Sequence, residues 1–256
     1  MIQGIIFDYG GTLDTNSVHW SEVLWEGYQH AGIPVTKEAF RQSYVAAERA
    51  LARQPYIQPE HNFLDLLRIK CDIETKDLTE RDIWNVQESE RKVKSEAVAT
   101  YCYRYVRQVL EVSRPIIAQL AKLYPLVLVS NFYGNIGTIL KDFQLEYFQH
   151  IIESSVVGMR KPDPRIFQLG MEALRHATGK TAVELPAQDI LVVGDSYTKD
   201  IVPAHTLGCQ TVWLRGIGWG DEEVDETVPT HIIYNIKDLR DIIPATGPTE
   251  SHPLVL

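Results

Sequence analysis

Cysteine is scarce: the 256 residues hold three, Cys71, Cys102 and Cys209, too far apart for a CxxC pair or a ligand spacing with histidine. That scarcity excludes a disulfide framework and a zinc site and suits a reducing compartment, so the cytoplasm is the expected location. Long apolar runs are missing too, since none approaches the roughly 20 residues that a membrane-spanning helix needs. The opening MIQGIIFDYG has neither a basic leader nor a small-residue cleavage site and reads as a first strand. Basic charge is in deficit: 25 Lys and Arg against 34 Asp and Glu give a formal charge of −9. An acidic surface repels polyanions, so no nucleic-acid partner and no membrane partner is expected. Internal repeats and low-complexity tracts are absent. What is present, 45% hydrophobic and 23% charged residues, is the composition of a globular chain with a substantial core.

Three runs rich in branched residues end in polar ones: GIIFD (Gly4 to Asp8), LVLVSN (Leu126 to Asn131) and DILVVGD (Asp189 to Asp195). Near-continuous hydrophobicity of this kind marks strands buried on both faces of a parallel sheet. QTVWL and HIIYNI (His231 to Ile236) read as two more strands, and HIIESS (His150 to Ser155) as a weaker one. Helical patterns at Pro115 to Tyr124, Ile136 to Phe143, Pro164 to His176 and Ile201 to Leu207 alternate with them. The expected fold is therefore α/β, a doubly wound Rossmann-like parallel sheet.

From Asn16 to Val109 the alternation stops. Helical periodicity runs through Val18 to Ala31, Lys37 to Arg53, Asn62 to Lys70 and a long segment from Glu80 to about Glu111. Residues 1–15 and 110–243 are thus expected to form the α/β core, 16–109 an inserted all-helical domain over the C-terminal edge of the sheet, and 244–256 a flexible tail.

Asp8, Ser130-Asn131 and Asp195 each end a strand, and a parallel sheet brings such ends to one edge. A fourth element, GMRKPDPRIF, places Lys161 just before a Pro-Asp-Pro that opens a helix. One carboxylate to attack, a second for a metal, a hydroxyl with an amide, and a lysine are what magnesium-assisted phosphoryl transfer requires.

These segments resemble the haloacid dehalogenase superfamily, whose members are mostly phosphatases. FDYGGTLD, VLVSN, RKPDPRIF and VVGDSYTKD are similar to its first to fourth motifs, in the same order and strand contexts. The resemblance implies that Asp8 is the nucleophile forming an aspartyl-phosphate, and that Ser130 and Lys161 meet the phosphoryl group, with Thr12 and Asn131 beside it. It further implies Mg²⁺ held by Asp8, the Gly10 carbonyl and Asp195, oriented by Asp200, and a helical cap between the first two motifs. The expected partner is a small phosphorylated substrate; no protein partner is indicated.

The sequence departs from the pattern at Gly10, where the phosphatases carry the acid that protonates the leaving oxygen and later deprotonates water. Gly11-Thr12 fix the register, so the gap cannot be shifted. A positioned general acid/base contributes ~10²–10⁴-fold in rate. The leading reading is a hydrolase with an impaired or specialised acid/base step; the alternative is a non-catalytic phosphoryl-ligand or protein-interaction pseudoenzyme. Asp14 reads as a loop cap, with Asp14 or His19 as lesser candidates to replace the acid. Superfamily members with alanine at this position use a cap lysine to form an imine, and the early helices here offer Arg49 and Arg53 but no lysine in the corresponding region. Trp20, Trp25 and Tyr28 read as helix packing, with a lesser reading as substrate-facing aromatics.

Overall fold

The computed structural model of the protein describes residues 1–217 and 223–243. The tail expected to be flexible lies outside them. Six strands, β1 (Gly4–Phe7), β2 (Leu126–Ser130), β3 (His150–Glu153), β4 (Ile190–Gly194), β5 (Gln210–Leu214) and β6 (His231–Ile233), pair in parallel in the order β3-β2-β1-β4-β5-β6. Every residue of β1, β2 and β4 is buried. The alternation of side chains across the sheet splits the branched residues between two cores. Ile5, Phe7, Leu126, Leu128, Leu191 and Val193 join one, while Ile6, Val127, Val129, Ile190 and Val192 join the other. Both faces are therefore filled, as in a doubly wound sheet.

The helices are α1 (Trp20–His30), α2 (Lys37–Arg53), α3 (Phe63–Glu80), α4 (Glu88–Ala121), α5 (Ile136–Asp142), α6 (Ser154–Val157), α7 (Arg165–Thr178), α8 (Val202–Thr206) and α9 (Leu239–Ile242). Helix α7 covers the second core with Ile166, Phe167, Met171 and Leu174. Helices α1 to α4 all lie between β1 and β2 and pack chiefly on one another, α3 against α2 and α4, and α1 against α4. Their starts follow from local chemistry. The His19 ring accepts the Ser21 N–H, Thr36 accepts that of Ala39, and Asn62 and Asp65 form a reciprocal capping box.

Several boundaries differ from the sequence reading: the long helix expected from Glu80 starts at Glu88, and the strand expected over His231 to Ile236 ends at Ile233. Helix α3 continues past Lys70 to Glu80, because Cys71, Glu74, Thr75 and Leu78 form its buried face and the polar pair hides the period. Helix α4 runs unbroken through Pro115, where a separate helix start is read from sequence. Proline removes one backbone donor, but Ile116, Ile117 and Leu120 beyond it are buried and keep the last turns in place. Helix α4 therefore bridges the helical segment and the α/β core. The three cysteines are free and buried, and among the described residues no helix is long and apolar enough to cross a membrane.

Burial holds one ionisable group of the helical segment out of its ordinary state. Glu74 is fully buried, accepts a hydrogen bond from Tyr28 Oη at 3.2 Å, and is pushed up to about 7, chiefly by burial, with the Lys70 ammonium opposing the shift. A carboxyl whose folded pKa is raised contributes stability that is complete below its unfolded pKa and is lost as pH rises through the folded value. Glu74→Gln, which mimics the protonated form, should therefore gain stability relative to wild type between about pH 5 and 8, by roughly 1–3 kcal/mol. Thermal unfolding scans of both proteins across that range check this, and parallel curves would refute it.

Candidate active site

The strand order reverses at β1, between β2 and β4, and the first residues beyond their C-terminal ends meet there. Asp8 follows β1, Ser130 ends β2, and Asp195 follows β4. Lys161 enters from the loop before α7, and Asp200 from a single π-turn, Tyr197–Ile201, that leads into α8. Lys161 is buried, and its ammonium donates to Asp8 Oδ1 and to Asp200 Oδ1, both at 2.6 Å. Ser130 Oγ donates to the same Asp8 oxygen at 3.0 Å. The Thr12 hydroxyl lies 3.2 Å from Asp195 Oδ1 and 3.4 Å from Asp8 Oδ2. The sequence-derived residues Asp8, Thr12, Ser130, Lys161, Asp195 and Asp200 thus form one connected group.

Asn131 lines the cavity, and its side chain is also bonded to the backbone of Lys161. Its Oδ1 accepts the Lys161 N–H at 2.8 Å and its Nδ2 donates to the Lys161 carbonyl at 3.0 Å. Both ends of the amide are spent on the lysine backbone, so the side chain positions Lys161.

Three carboxylates against one ammonium leave the site short of positive charge. Burial, and then the Asp8 and Asp200 carboxylates, push Asp195 well above the usual carboxylate range. Burial also raises Asp200, outweighing its bonds to Lys161. Burial opposes the charge on Lys161, but Asp200 and Asp8 outweigh it and push the ammonium up, so it stays cationic. One carboxylate oxygen from each of Asp8, Asp195 and Asp200 lies within 4.8 Å of the others. A hard divalent cation with oxygen ligands fits this donor set and would offset the excess charge. Both Asp200 oxygens already accept hydrogen bonds, from Lys161 and from the Ser196 N–H at 3.0 Å. Asp8 and Asp195 are the freer donors.

The loop between Asp8 and Asn16 is rigid by its own bonds. Asp14 is buried and accepts the Gly11 N–H at 2.7 Å and the Trp20 indole N–H at 3.1 Å, as expected of a loop cap. Burial raises it to about 7, but both its oxygens are engaged inside the loop and it does not line the cavity. His19 does line the cavity. Burial, with Lys199 and Lys70 nearby, lowers it to about 4, and its Nδ1 accepts the Ser21 N–H. A neutral ring with that nitrogen occupied is a weak acid and a weak base at pH 7. Asp14 thus lies off the cavity, and His19 borders it as a neutral ring.

The cavity over these groups has a volume of about 820 Å³. Its floor is the strand-end cluster with Gly10, and its walls include Trp20, Lys37, Arg41, Tyr44, Glu48 and Lys70 from α1 to α3, with Tyr133 and Trp213 from the core. Trp20 therefore takes the lesser reading as a cavity-facing aromatic, whereas Tyr28 is core and Trp25 packs on Phe40. The Lys70 ammonium is buried, pairs with Glu48 and sits 4.3 Å from the centre of the Tyr44 ring. Tyr133 Oη donates to Glu48 at 3.0 Å, tying the loop after β2 to α2. Sequence reasoning missed Lys70 and Glu48 because a charged pair inside a helix pattern has the signature of a solvated face.

Gly10 and Gly11 are not equivalent. Gly11 has φ +96°, and a Cβ there would run into the Asp195 carboxylate. Gly10 is not among the glycines with positive φ, and a Cβ there would meet no atom within 4 Å. The backbone requirement thus lies at Gly11, and position 10 has room for a side chain. Gly10→Ala should change stability by about 0.5 kcal/mol or less, while Gly11→Ala should cost about 2 kcal/mol or more. Denaturant unfolding checks both; equal costs would contradict the geometry.

Comparison with known proteins agrees with this architecture. Stretches of the chain are similar to haloacid dehalogenase-like hydrolase domain-containing protein 3 of Mus musculus, 34% identical over 48% of this chain and 47% of the relative. They are also similar to glyceraldehyde 3-phosphate phosphatase of Pyrococcus abyssi, 34% identical over 27% and 26%. The matches span about half, or less, of the length of these curated relatives. Among solved structures the fold is shared with a Bacillus subtilis HAD-hydrolase bound to magnesium, with TM-score 0.54, 16% identity and coverage of 94% and 98% of the two chains. It is shared as well with 2-haloacid dehalogenase from Pseudomonas syringae pv. Tomato, with TM-score 0.51, 20% identity and the same coverage. The family profile for haloacid dehalogenase-like hydrolases matches residues 2–208, most of the chain, and the protein belongs to that family.

Proposed function

We propose that this protein is a Mg²⁺-dependent phosphohydrolase that transfers the phosphoryl group of a small metabolite to Asp8, with the helices of residues 16–109 as its cap. The observation that carries the reading is the buried cluster in which Lys161 bridges Asp8 and Asp200, with Asp195 beside them. Asp8 Oδ1 accepts from both Ser130 and Lys161, whereas Oδ2 has only the long Thr12 contact, so Oδ2 keeps the electron density for attack. In the first step the Asp8 oxygen bonds to phosphorus and the bond from phosphorus to the leaving oxygen breaks. In the second, water attacks the same phosphorus, releasing phosphate and restoring the carboxylate. Lys161 and Ser130 offset charge on the phosphoryl oxygens. Magnesium held by Asp8, the Gly10 carbonyl and Asp195 would supply the remaining positive charge.

Proton transfer is the specialised part. Outside the acidic cluster the titratable wall groups with a resolved shift lie far from neutrality. His19 is low; burial raises the hydroxyls of Tyr44 and Tyr133. Burial opposes ionisation of Glu22 and Glu48, but Lys37 and Lys70 respectively outweigh it and hold both carboxyls down. A leaving oxygen therefore departs with little help, which favours substrates such as acyl or aryl phosphates. Lys70 does line the cavity, contrary to the expectation that the helices offer no such lysine, yet Glu48 keeps it cationic despite burial. A cationic amine cannot add to a carbonyl, so an imine route finds no support. The glyceraldehyde 3-phosphate phosphatase relative is consistent with a small phosphorylated substrate.

A screen of acyl, aryl and sugar phosphates and nucleotides with Mg²⁺ tests the reading; no turnover of any would favour the pseudoenzyme alternative. Asp8→Asn should lower turnover of the best substrate by roughly 10³-fold or more while the protein stays folded by circular dichroism. Unaltered turnover would remove Asp8 as nucleophile. Gly10→Asp should raise kcat/KM for alkyl phosphates by about 10–100-fold and for aryl phosphates by less, because kcat/KM reports the step in which the leaving group departs and alkoxide departure depends more on proton donation. A folded, Mg²⁺-binding variant with no gain on any alkyl phosphate would show that the missing acid does not limit the wild type.

A further inference from the structure

The charges lining the cavity invert those of the chain. Among the described residues seven basic side chains line it against five acidic ones, in a chain with 25 basic and 34 acidic residues. Three of those acids and one of those bases, Asp8, Asp195, Asp200 and Lys161, form the catalytic cluster. The rest of the lining carries six cations, Lys37, Arg41, Lys70, Arg160, Lys199 and Arg215, against two carboxylates, Glu22 and Glu48. Glu22 is shared by Lys37 and Arg41, and Glu48 by Lys70 and the Tyr133 hydroxyl. Arg215 is held by Glu226, outside the lining.

A phosphoryl group is already met by Lys161 and Ser130, so the further cations exceed what a phosphate with a neutral tail requires. Lys70 is the most telling. Its side chain is buried, bonded to the Glu48 carboxylate and seated over the Tyr44 ring, and it still borders the cavity. Ammonium groups have three donors, and Glu48 takes one. Lys199 and Arg160 line the cavity and are exposed, which places them at its rim.

We propose that the cavity selects phosphate esters or anhydrides that carry a second anionic group, a carboxylate or another phosphate, with Lys70 and the rim cations Arg160 and Lys199 as the residues that recognise it. The proposal rests on the phosphohydrolase reading of the same site and deepens it. Charged tails gain from cations in a partly desolvated cavity, where attraction is stronger than in bulk water. A neutral tail gains nothing from them.

Binding of non-hydrolysable phosphonates to the full-length protein with Mg²⁺ tests this without turnover. Three probes of similar length, propylphosphonate, 3-phosphonopropionate and propane-1,3-bisphosphonate, are titrated calorimetrically. One or both charged-tail probes should bind at least about tenfold tighter than propylphosphonate, and whichever leads identifies carboxylate or phosphate as the second group. That ratio should fall several-fold in Lys70→Met and in the exposed double variant Arg160→Ala/Lys199→Ala; if the first fails to fold, the second decides. Equal affinity for all three probes would overturn the proposal and leave the phosphohydrolase reading intact, as would a ratio untouched by the variants. Absence of binding by every probe and by inorganic phosphate would overturn both.

Discussion

The Lys161 ammonium is the contact on which the site depends. It sits in a buried pocket with three carboxylates, bonds two of them, and is tied at its own backbone by both ends of the Asn131 amide. Removing it would leave buried like charges without compensation, a cost of several kcal/mol. The sheet makes the cluster possible by ending β1, β2 and β4 at one edge. Close packing completes it, because Gly11 and Gly194 leave room for the Asp195 and Asp200 carboxylates that a Cβ at either position would displace. The constraint is electrostatic as much as steric: the folded protein holds negative charge that only a cation or a proton can balance.

The helical segment meets the site with a second, half-buried ion pair. Glu48 on α2 receives Lys70 from α3 and the Tyr133 hydroxyl from the core, two residues after Asn131. One carboxylate thus links two wall helices to the loop that follows Ser130. Asn135 Nδ2 bonded to the His61 carbonyl, and Phe63 packed against Phe143, join the same two parts elsewhere. These contacts hold the segment against the core, so that residues of α1 to α3 wall the cavity over the strand-end cluster.

Much of this was legible in the sequence, for physical reasons that differ by element. Strands buried on both faces have no polar alternation, so GIIF, LVLVS and ILVVG stood out with the polar residue that ends each one. The edge strand β3 is half-exposed and correspondingly faint. Helix ends with side-chain caps, such as Thr36 and Asn62, were recoverable, whereas the extent of α3 was hidden by Glu74 and Thr75 on its buried face. Asp8 and Asp195 were legible because they sit at strand ends, whereas Asp200, in the turn before α8, was implied only by the family resemblance. The walls were not, because Lys70, Glu48 and Tyr133 come together only through packing between α2, α3 and a core loop. Gly10 showed the missing acid, but only the backbone shows that Gly11 carries the conformational demand.

A site that keeps nucleophile, lysine and carboxylates while lacking its acid/base should be slow in both steps, and slowest where water must be activated to attack the phosphorylated aspartate. The intermediate should then persist. The most direct measurement is mass spectrometry of protein mixed with acetyl phosphate and Mg²⁺, quenched in acid and digested. The account predicts a phosphoryl group on the peptide containing Asp8, and none on that peptide from Asp8→Asn. Turnover of acetyl phosphate with no label on that peptide at any quench time, or a label that survives Asp8→Asn, would contradict it.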